Sequence, residues 1–177
     1  MDANQRAEAL KRVVRDVADF PKPGIVFKDL TTLLLDPTAF HSAMDQMQEL
    51  AAGRAAAKVV GIESRGFVLG GALADRLGVG FVPARKPGKL PWRRIAASYS
   101  LEYGTDTLEM HEDAISPGES VLVVDDLIAT GGTARAVGEL VHRLGGKVAA
   151  YLFLVELTFL DGRRQLDDAD VLSVLRY

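Results

Sequence analysis

Apolar and polar positions along this chain fall into blocks of helical and strand period. Val121 to Val124 is an uninterrupted apolar run, the pattern of a buried, parallel strand. It leads into two carboxylates, Asp125 and Asp126, and then into the small-residue stretch Ala129, Thr130, Gly131, Gly132 and Thr133. ARAVGELVHRLGG follows with helical spacing and a closing glycine pair, so the unit is predicted as strand, acidic loop, helix. A second such unit precedes it, with Lys58 to Ile62 as strand, Glu63-Ser64-Arg65-Gly66 as turn and Phe67 to Leu77 as helix. Val79 to Pro83, Lys147 to Glu156 and Val171 to Tyr177 add strands. Strands alternating with helices predict an α/β fold with a central, mostly parallel sheet flanked by helices.

The N-terminal part reads differently. Leu10, Val13, Val14 and Val17 recur at helical spacing and predict an amphipathic helix over residues 3 to 17. FPKPG breaks it, and Ile25 to Leu30 is apolar and extended, a strand edge or a small hood over a ligand. Asp36-Pro37 has the form of an N-cap followed by Pro, opening a helix through about Gly53. From Arg85 to Ser100 no period is sustained, which predicts a long binding loop or lid, and SLEYG with TLEMH predicts a two-stranded excursion around Gly104.

Length and composition narrow the class. The chain has 177 residues, enough for one domain, with 48% hydrophobic and 25% charged residues and a mean hydropathy of +0.10. Without cysteine, disulfides and thiolate chemistry are excluded. The charged N-terminus MDANQRAEALKRVVRD lacks a signal-peptide core and no run has the length of a membrane span, so a cytoplasmic protein is expected, with no membrane partner. A net charge of -3 argues against a nucleic-acid surface. Locally the balance reverses: Arg76, Arg85, Lys86, Lys89, Arg93 and Arg94 lie between Arg76 and Leu101 without one acid, a candidate anion site. His41, His111 and His142 form no metal-spaced motif, and Arg163-Arg164 with Asp167-Asp168 reads as exposed charge.

A bare acid pair is common at solvated strand ends. Joined to a Thr/Gly loop at a helix start, it suits a ligand with two polar ends: carboxylates for vicinal hydroxyls or a hydrated Mg2+, and backbone N–H groups with the Thr130 and Thr133 hydroxyls for a phosphate. A sugar phosphate has both ends. No GxxxxGK[ST] is present, so a P-loop is excluded.

The string VLVVDDLIATGGTA resembles the phosphoribosyl-pyrophosphate signature of the type I phosphoribosyltransferases. FPKPGIVFKDLTTLL, GIESRGFVLG, RKPGKLP and SYSLEYGTDTLEMHEDAI resemble, in collinear order over residues 20 to 160, the blocks of the adenine-specific members. The resemblance implies a Rossmann-like type I phosphoribosyltransferase fold as one domain over residues 1–177, with a base-binding hood within about 1–35 and a flexible lid over 86–103. It implies transfer of the phosphoribosyl group from phosphoribosyl pyrophosphate to adenine, giving AMP and pyrophosphate, with Mg2+ held mainly by substrate and water and Asp125 and Asp126 as further candidates.

By the same resemblance, Ala129, Thr130, Gly131, Gly132 and Thr133 cradle the 5-phosphate and Asp125 and Asp126 take the ribose hydroxyls. Arg85, Lys86 and Lys89, with Glu63, Ser64 and Arg65, match positions that meet pyrophosphate, and a non-proline cis peptide is expected at Glu63-Ser64. Val26, Phe27 and Arg65 match the adenine site, and Glu102 and Tyr103 the lid residues, Glu102 handling the N7 proton. Relatives acting on 6-oxopurines carry aspartate where this chain has Ala129. Family members are typically homodimers, with a basic residue reaching the neighbouring site. The alternatives are another purine base, such as xanthine, or a non-catalytic regulator that binds the same sugar phosphate. The lid's Trp92-Arg93-Arg94 matches no block and reads as a solvated face.

Overall fold

The computed structural model describes residues 2–101 and 104–177. These fall into two compact units, residues 1–46 and 47–177.

The first unit begins with α1 (Ala3–Lys11), shorter than the predicted helix. Asp2 caps it, accepting from the Gln5 N–H while the Gln5 side chain accepts from the Asp2 N–H, a reciprocal capping box. The expected continuation to residue 17 is instead β1 (Arg15–Ala18), paired antiparallel with β2 (Val26–Asp29). Val17 is partnered by Phe27 in that register, and its β-branched side chain suits a strand better than a helix, while Val13 and Val14 fall in the turn before it. The ribbon is pinned by Arg15 on Asp29 (2.8 Å) and Lys28 on Asp16 (2.6 Å). A short α2 (Thr31–Leu35), not anticipated, follows, and α3 (Pro37–Ala51) begins in this unit. As predicted, Asp36 caps α3, its carboxylate accepting from the Thr38 and Ala39 N–H groups.

The second unit is built on β3 (Lys58–Ile62), α4 (Arg65–Leu77), β4 (Gly80–Ala84), β5 (Arg94–Leu101), β6 (Gly104–His111), β7 (Ser120–Ile128), α5 (Gly132–Arg143), β8 (Lys147–Glu156) and β9 (Asp170–Arg176). Five strands form one wholly parallel sheet in the order β4-β3-β7-β8-β9. Val121 to Val124 are fully buried, as is nearly all of β8, which explains their unbroken apolar runs. The chain leaves β3 through α4 towards β4 and leaves β7 through α5 towards β8, in opposite directions across the sheet. Right-handed crossovers therefore put α4 and α5 on opposite faces, and the crevice of such a sheet opens beyond the carboxyl ends of β3 and β7.

The predicted lid contains more order than its sequence pattern implied. β5 and β6 pair antiparallel from Arg94↔His111 to Leu101↔Gly104, so residues 94–101 are strand rather than irregular loop. Ala97 and Tyr99 are buried while Ala96 and Ser98 face out, an alternation hidden because its members are small. The hairpin packs in the same core as α5, and Arg143 donates to the Ala96 carbonyl (2.6 Å). Among the described residues, no helix is long and apolar enough to cross a membrane.

Candidate active site

The two strand ends at the crevice carry the predicted chemistry. β7 runs on through the acid pair to Ile128, so Asp125 and Asp126, on successive strand positions, point to opposite sides of the sheet. Asp126 is 6% exposed, and Arg65, first residue of α4, brings Nε to 2.6 Å from its Oδ2. Asp125 Oδ1 accepts the Asp126 N–H (2.8 Å). Burial, and then the charge of Asp126, push the Asp125 carboxyl well above the ordinary carboxylate range, with Arg65 only partly offsetting them. A carboxylate in that state gains from hydroxyl donors or a cation brought by a ligand.

The β3 and β7 units touch at Gly66. A Cβ on that residue would lie 2.8 Å from Asp125 Oδ1 and 2.9 Å from the Val124 carbonyl oxygen. Only glycine lets the start of α4 come this close to the acid pair, and this role was not anticipated from the sequence. The signal was a glycine closing the predicted turn directly before the predicted helix, a position that the structure takes into the first turn of α4. The Glu63-Ser64 peptide just before it is cis, as expected.

Ala129 to Thr133 turn the chain from β7 into α5. Gly131 adopts φ +86° as the N-cap residue, a conformation that favours glycine, and no side chain caps the helix. The first-turn N–H groups of α5 are therefore left for a ligand, at the positive end of the helix dipole. A cavity of about 90 Å³ is lined by Asp125, Ala129, Thr130, Gly131 and Thr133, so the acid and the loop share one space.

The basic turn sits beside it. Glu63 Oε2 accepts from Arg85 Nε (3.1 Å) and from the Lys86 N–H (3.0 Å), and the Arg85 guanidinium lies over the Phe67 ring at 5.7 Å. Buried Glu109 accepts from the Gly88 N–H (3.1 Å), pairs with Arg94 (2.9 Å), and exchanges backbone hydrogen bonds with Arg85. Arg94 is thus a structural partner rather than the free solvated charge expected of it. Lys86 Nζ lies 3.1 Å from Asp106, whose carboxylate also accepts the Tyr99 hydroxyl (3.3 Å), and Tyr99 in turn bonds the Thr133 side chain. This chain of contacts joins the basic turn to the Thr/Gly loop. Ser64 and Lys89 are exposed.

Of the remaining predicted residues, Val26 and Phe27 lie on β2 in the first unit. Val26 is 52% exposed and Phe27 packs edge-on against Phe20, with ring centroids 5.1 Å apart. Glu102 and Tyr103 lie outside the described residues. Arg163, expected as exposed charge, instead pairs with buried Glu156 (2.6 Å).

The phosphoribosyl transferase domain model matches residues 39–173. Among curated proteins the chain is 55% identical to the adenine phosphoribosyltransferase of Acidobacterium capsulatum, over 96% of this chain and 94% of that protein. Among solved structures it is similar to the adenine phosphoribosyltransferase of Thermoanaerobacter pseudethanolicus, with 50% identity and a TM-score of 0.94 over 97% of this chain and 99% of that one. It is also similar to that of Saccharomyces cerevisiae complexed with D-DIAB and adenine, with 42% identity and a TM-score of 0.91 over 97% and 99% of the two chains. The chain belongs to the phosphoribosyl transferase family, and within it to the adenine phosphoribosyltransferases.

Proposed function

We propose that this protein transfers the 5-phosphoribosyl group of phosphoribosyl pyrophosphate to adenine, releasing AMP and pyrophosphate in purine salvage. The observation that carries the reading is the single cavity in which Asp125 faces Ala129 to Thr133, with the basic turn linked to it through Lys86, Asp106, Tyr99 and Thr133. The bond from C1 to the pyrophosphate oxygen breaks with its electron pair leaving on pyrophosphate, a bond from C1 to adenine N9 forms, and the N9 proton passes to water.

In this reading the loop N–H groups and Thr133 hold the 5-phosphate, while Asp125 and Asp126 accept from the ribose hydroxyls. Positive charge develops on the sugar only in the transition state, and carboxylates held at the end of β7 favour that state over the ground state. Lys86 and Lys89 meet the leaving pyrophosphate, with Ser64 and Arg65 at its turn. Glu63 acts by holding Arg85 and the Lys86 backbone in place, since a bare carboxylate repels a polyanion.

The donor set fits Mg2+ of the substrate-borne kind. Among the described residues no three His, Cys, Asp or Glu side chains gather to cage a metal, and a pair of carboxylates suffices for an ion that keeps waters and phosphate ligands. When bound, Mg2+ supplies charge neutralisation at the pyrophosphate.

The base is read by Val26, Phe27 and Arg65, with Val26 backbone groups on the 6-amino edge. A carbonyl facing that edge disfavours a 6-oxo group, because two acceptors would be left unpaired. Residues 86–103 serve as a lid delivering Glu102 and Tyr103, within one catalytic domain that works as a homodimer. A cytoplasmic setting follows from the substrate, whose charge bars it from crossing a bilayer unaided. Replacing Glu102 by leucine is expected to lower kcat about 10²–10⁴-fold with little change in KM, the range of a lost general acid–base group. Unchanged turnover removes Glu102 from the mechanism. Incubation with phosphoribosyl pyrophosphate, Mg2+ and a panel of bases, followed by separation of nucleotides, tests the function itself. AMP as the main product is expected; a xanthine nucleotide, or none with any base, overturns it.

A further inference from the structure

The loop from Ala129 to Thr133 lies against a segment far along the chain, the one-turn 3-10 helix Gly162–Gln165 that follows β8. Gly162 is buried there, and a Cβ on it would collide with the Ala129 carbonyl oxygen and lie 2.9 Å from the Gly131 nitrogen. The contact is reciprocal: a Cβ on Gly131 would collide with the Gly162 carbonyl oxygen and come within 3.1 Å of Gln165 Cβ. The two backbones pass with no room for a methyl group. Gly162 is not among the residues with positive φ, so close approach alone sets its identity.

The segment is itself held firmly. Arg163 donates a two-pronged pair to Glu156, Nε to Oε1 at 2.6 Å and the terminal nitrogen to Oε2 at 2.7 Å. Glu156 is 4% exposed and also accepts from the Ser173 hydroxyl, with Arg176 at 3.3 Å. Its carboxyl is held below the ordinary range, chiefly by the Arg163 hydrogen bonds. Leu166 then enters the core, and the Leu157 N–H donates to the Ile128 carbonyl at the end of β7.

We infer that Gly162, fixed by the Arg163–Glu156 ion pair, is a positioning residue for the 5-phosphate loop. Its bare backbone backs the loop so that the N–H groups of 130–133 stay turned towards the phosphate. The inference rests on the reading of Ala129 to Thr133 as the phosphate cradle, so its test carries a control for that reading. Gly162→Ala, Arg163→Gln and Thr133→Ala are compared with the parent protein for ribose 5-phosphate affinity, KM for phosphoribosyl pyrophosphate and adenine, and Tm. Displacing the loop by a fraction of an ångström is expected to weaken ribose 5-phosphate binding and raise KM for phosphoribosyl pyrophosphate about 10- to 100-fold in Gly162→Ala, with KM for adenine within about threefold. Arg163→Gln moves the same constants in the same direction by less. A merely structural role lowers Tm without splitting the two substrates. Should Gly162→Ala fail to fold, Arg163→Gln decides. Ribose 5-phosphate affinity unchanged in the folded brace variants, while Thr133→Ala weakens it, overturns the brace. If Thr133→Ala leaves it unchanged too, the cradle reading falls and the brace with it.

Discussion

Replacing Asp125 by asparagine is expected to give a protein that is slower and yet more heat-stable at neutral pH. The slowing follows from loss of a negative charge beside the developing positive charge on the sugar; removal of one such group typically costs about 10²–10³ in kcat. The gain in stability follows from the raised pKa of Asp125, caused by burial and by the adjacent Asp126. A carboxyl whose folded pKa lies above its unfolded value imposes no penalty below the unfolded value, about 3.9 for aspartate. As pH rises from there towards the folded pKa, the folded state loses stability relative to the unfolded one. Asparagine removes that term and retains an oxygen to accept the Asp126 N–H. Thermal melts should therefore show the variant above the parent at pH 7 by a few degrees, the two converging below about pH 4. Lower stability of the variant at pH 7 contradicts this account of the acid pair. Such an opposition between activity and stability is expected where like charges are held together for a ligand.

Gly66→Ala is expected to have the other large effect. The added methyl meets the Val124 carbonyl oxygen at 2.9 Å and lies 3.2 Å from Asp125 Cα, so backbone must move rather than a flexible side chain. Overpacking of this kind costs about 1–3 kcal/mol. Because the displaced atoms carry Asp125 and Arg65, a shift approaching 1 Å also lowers kcat/KM about 10²-fold. Gly71→Ala in the same helix is the control: nothing lies within 4 Å of a Cβ there, and alanine gains up to about 1 kcal/mol as the better helix former. Urea unfolding and steady-state kinetics on both variants measure the contrast. Equal effects at the two positions remove the special role of Gly66.

The two halves of the crevice were legible in the sequence to different degrees. The acid pair and the Thr/Gly loop are local in sequence, seven residues of strand end and helix start, and their chemistry follows from order alone. The sheet order, wholly parallel and reversing direction between β3 and β7, agrees with the alternation of strand and helix patterns. Contacts between distant segments were not legible. Gly162 lies more than thirty residues from Gly131, Glu109 reaches back to Gly88, and the Arg163–Glu156 pair sits where the charges looked solvated. In each case a local pattern of charge or glycine is the same whether the partner is water or a remote backbone; only the folded path decides. The hairpin arm of residues 94–101 was missed for a different reason, since its inward positions are occupied by Ala97 and Tyr99 between small outward ones, a weak alternation.

The family assignment and the geometry bear on base choice separately. The similar adenine phosphoribosyltransferases place the chain in its family, while Ala129 lines the cavity without bringing a carboxylate to it. Both point away from xanthine.

A crystal structure of the protein with bound AMP tests the central claim most directly. The 5-phosphate is predicted to lie on the backbone N–H groups of residues 130–133, with the ribose hydroxyls about 2.6–3.2 Å from the carboxylates of Asp125 and Asp126. A phosphate seated instead on the basic turn of residues 85–89, with the acid pair left to solvent, contradicts it.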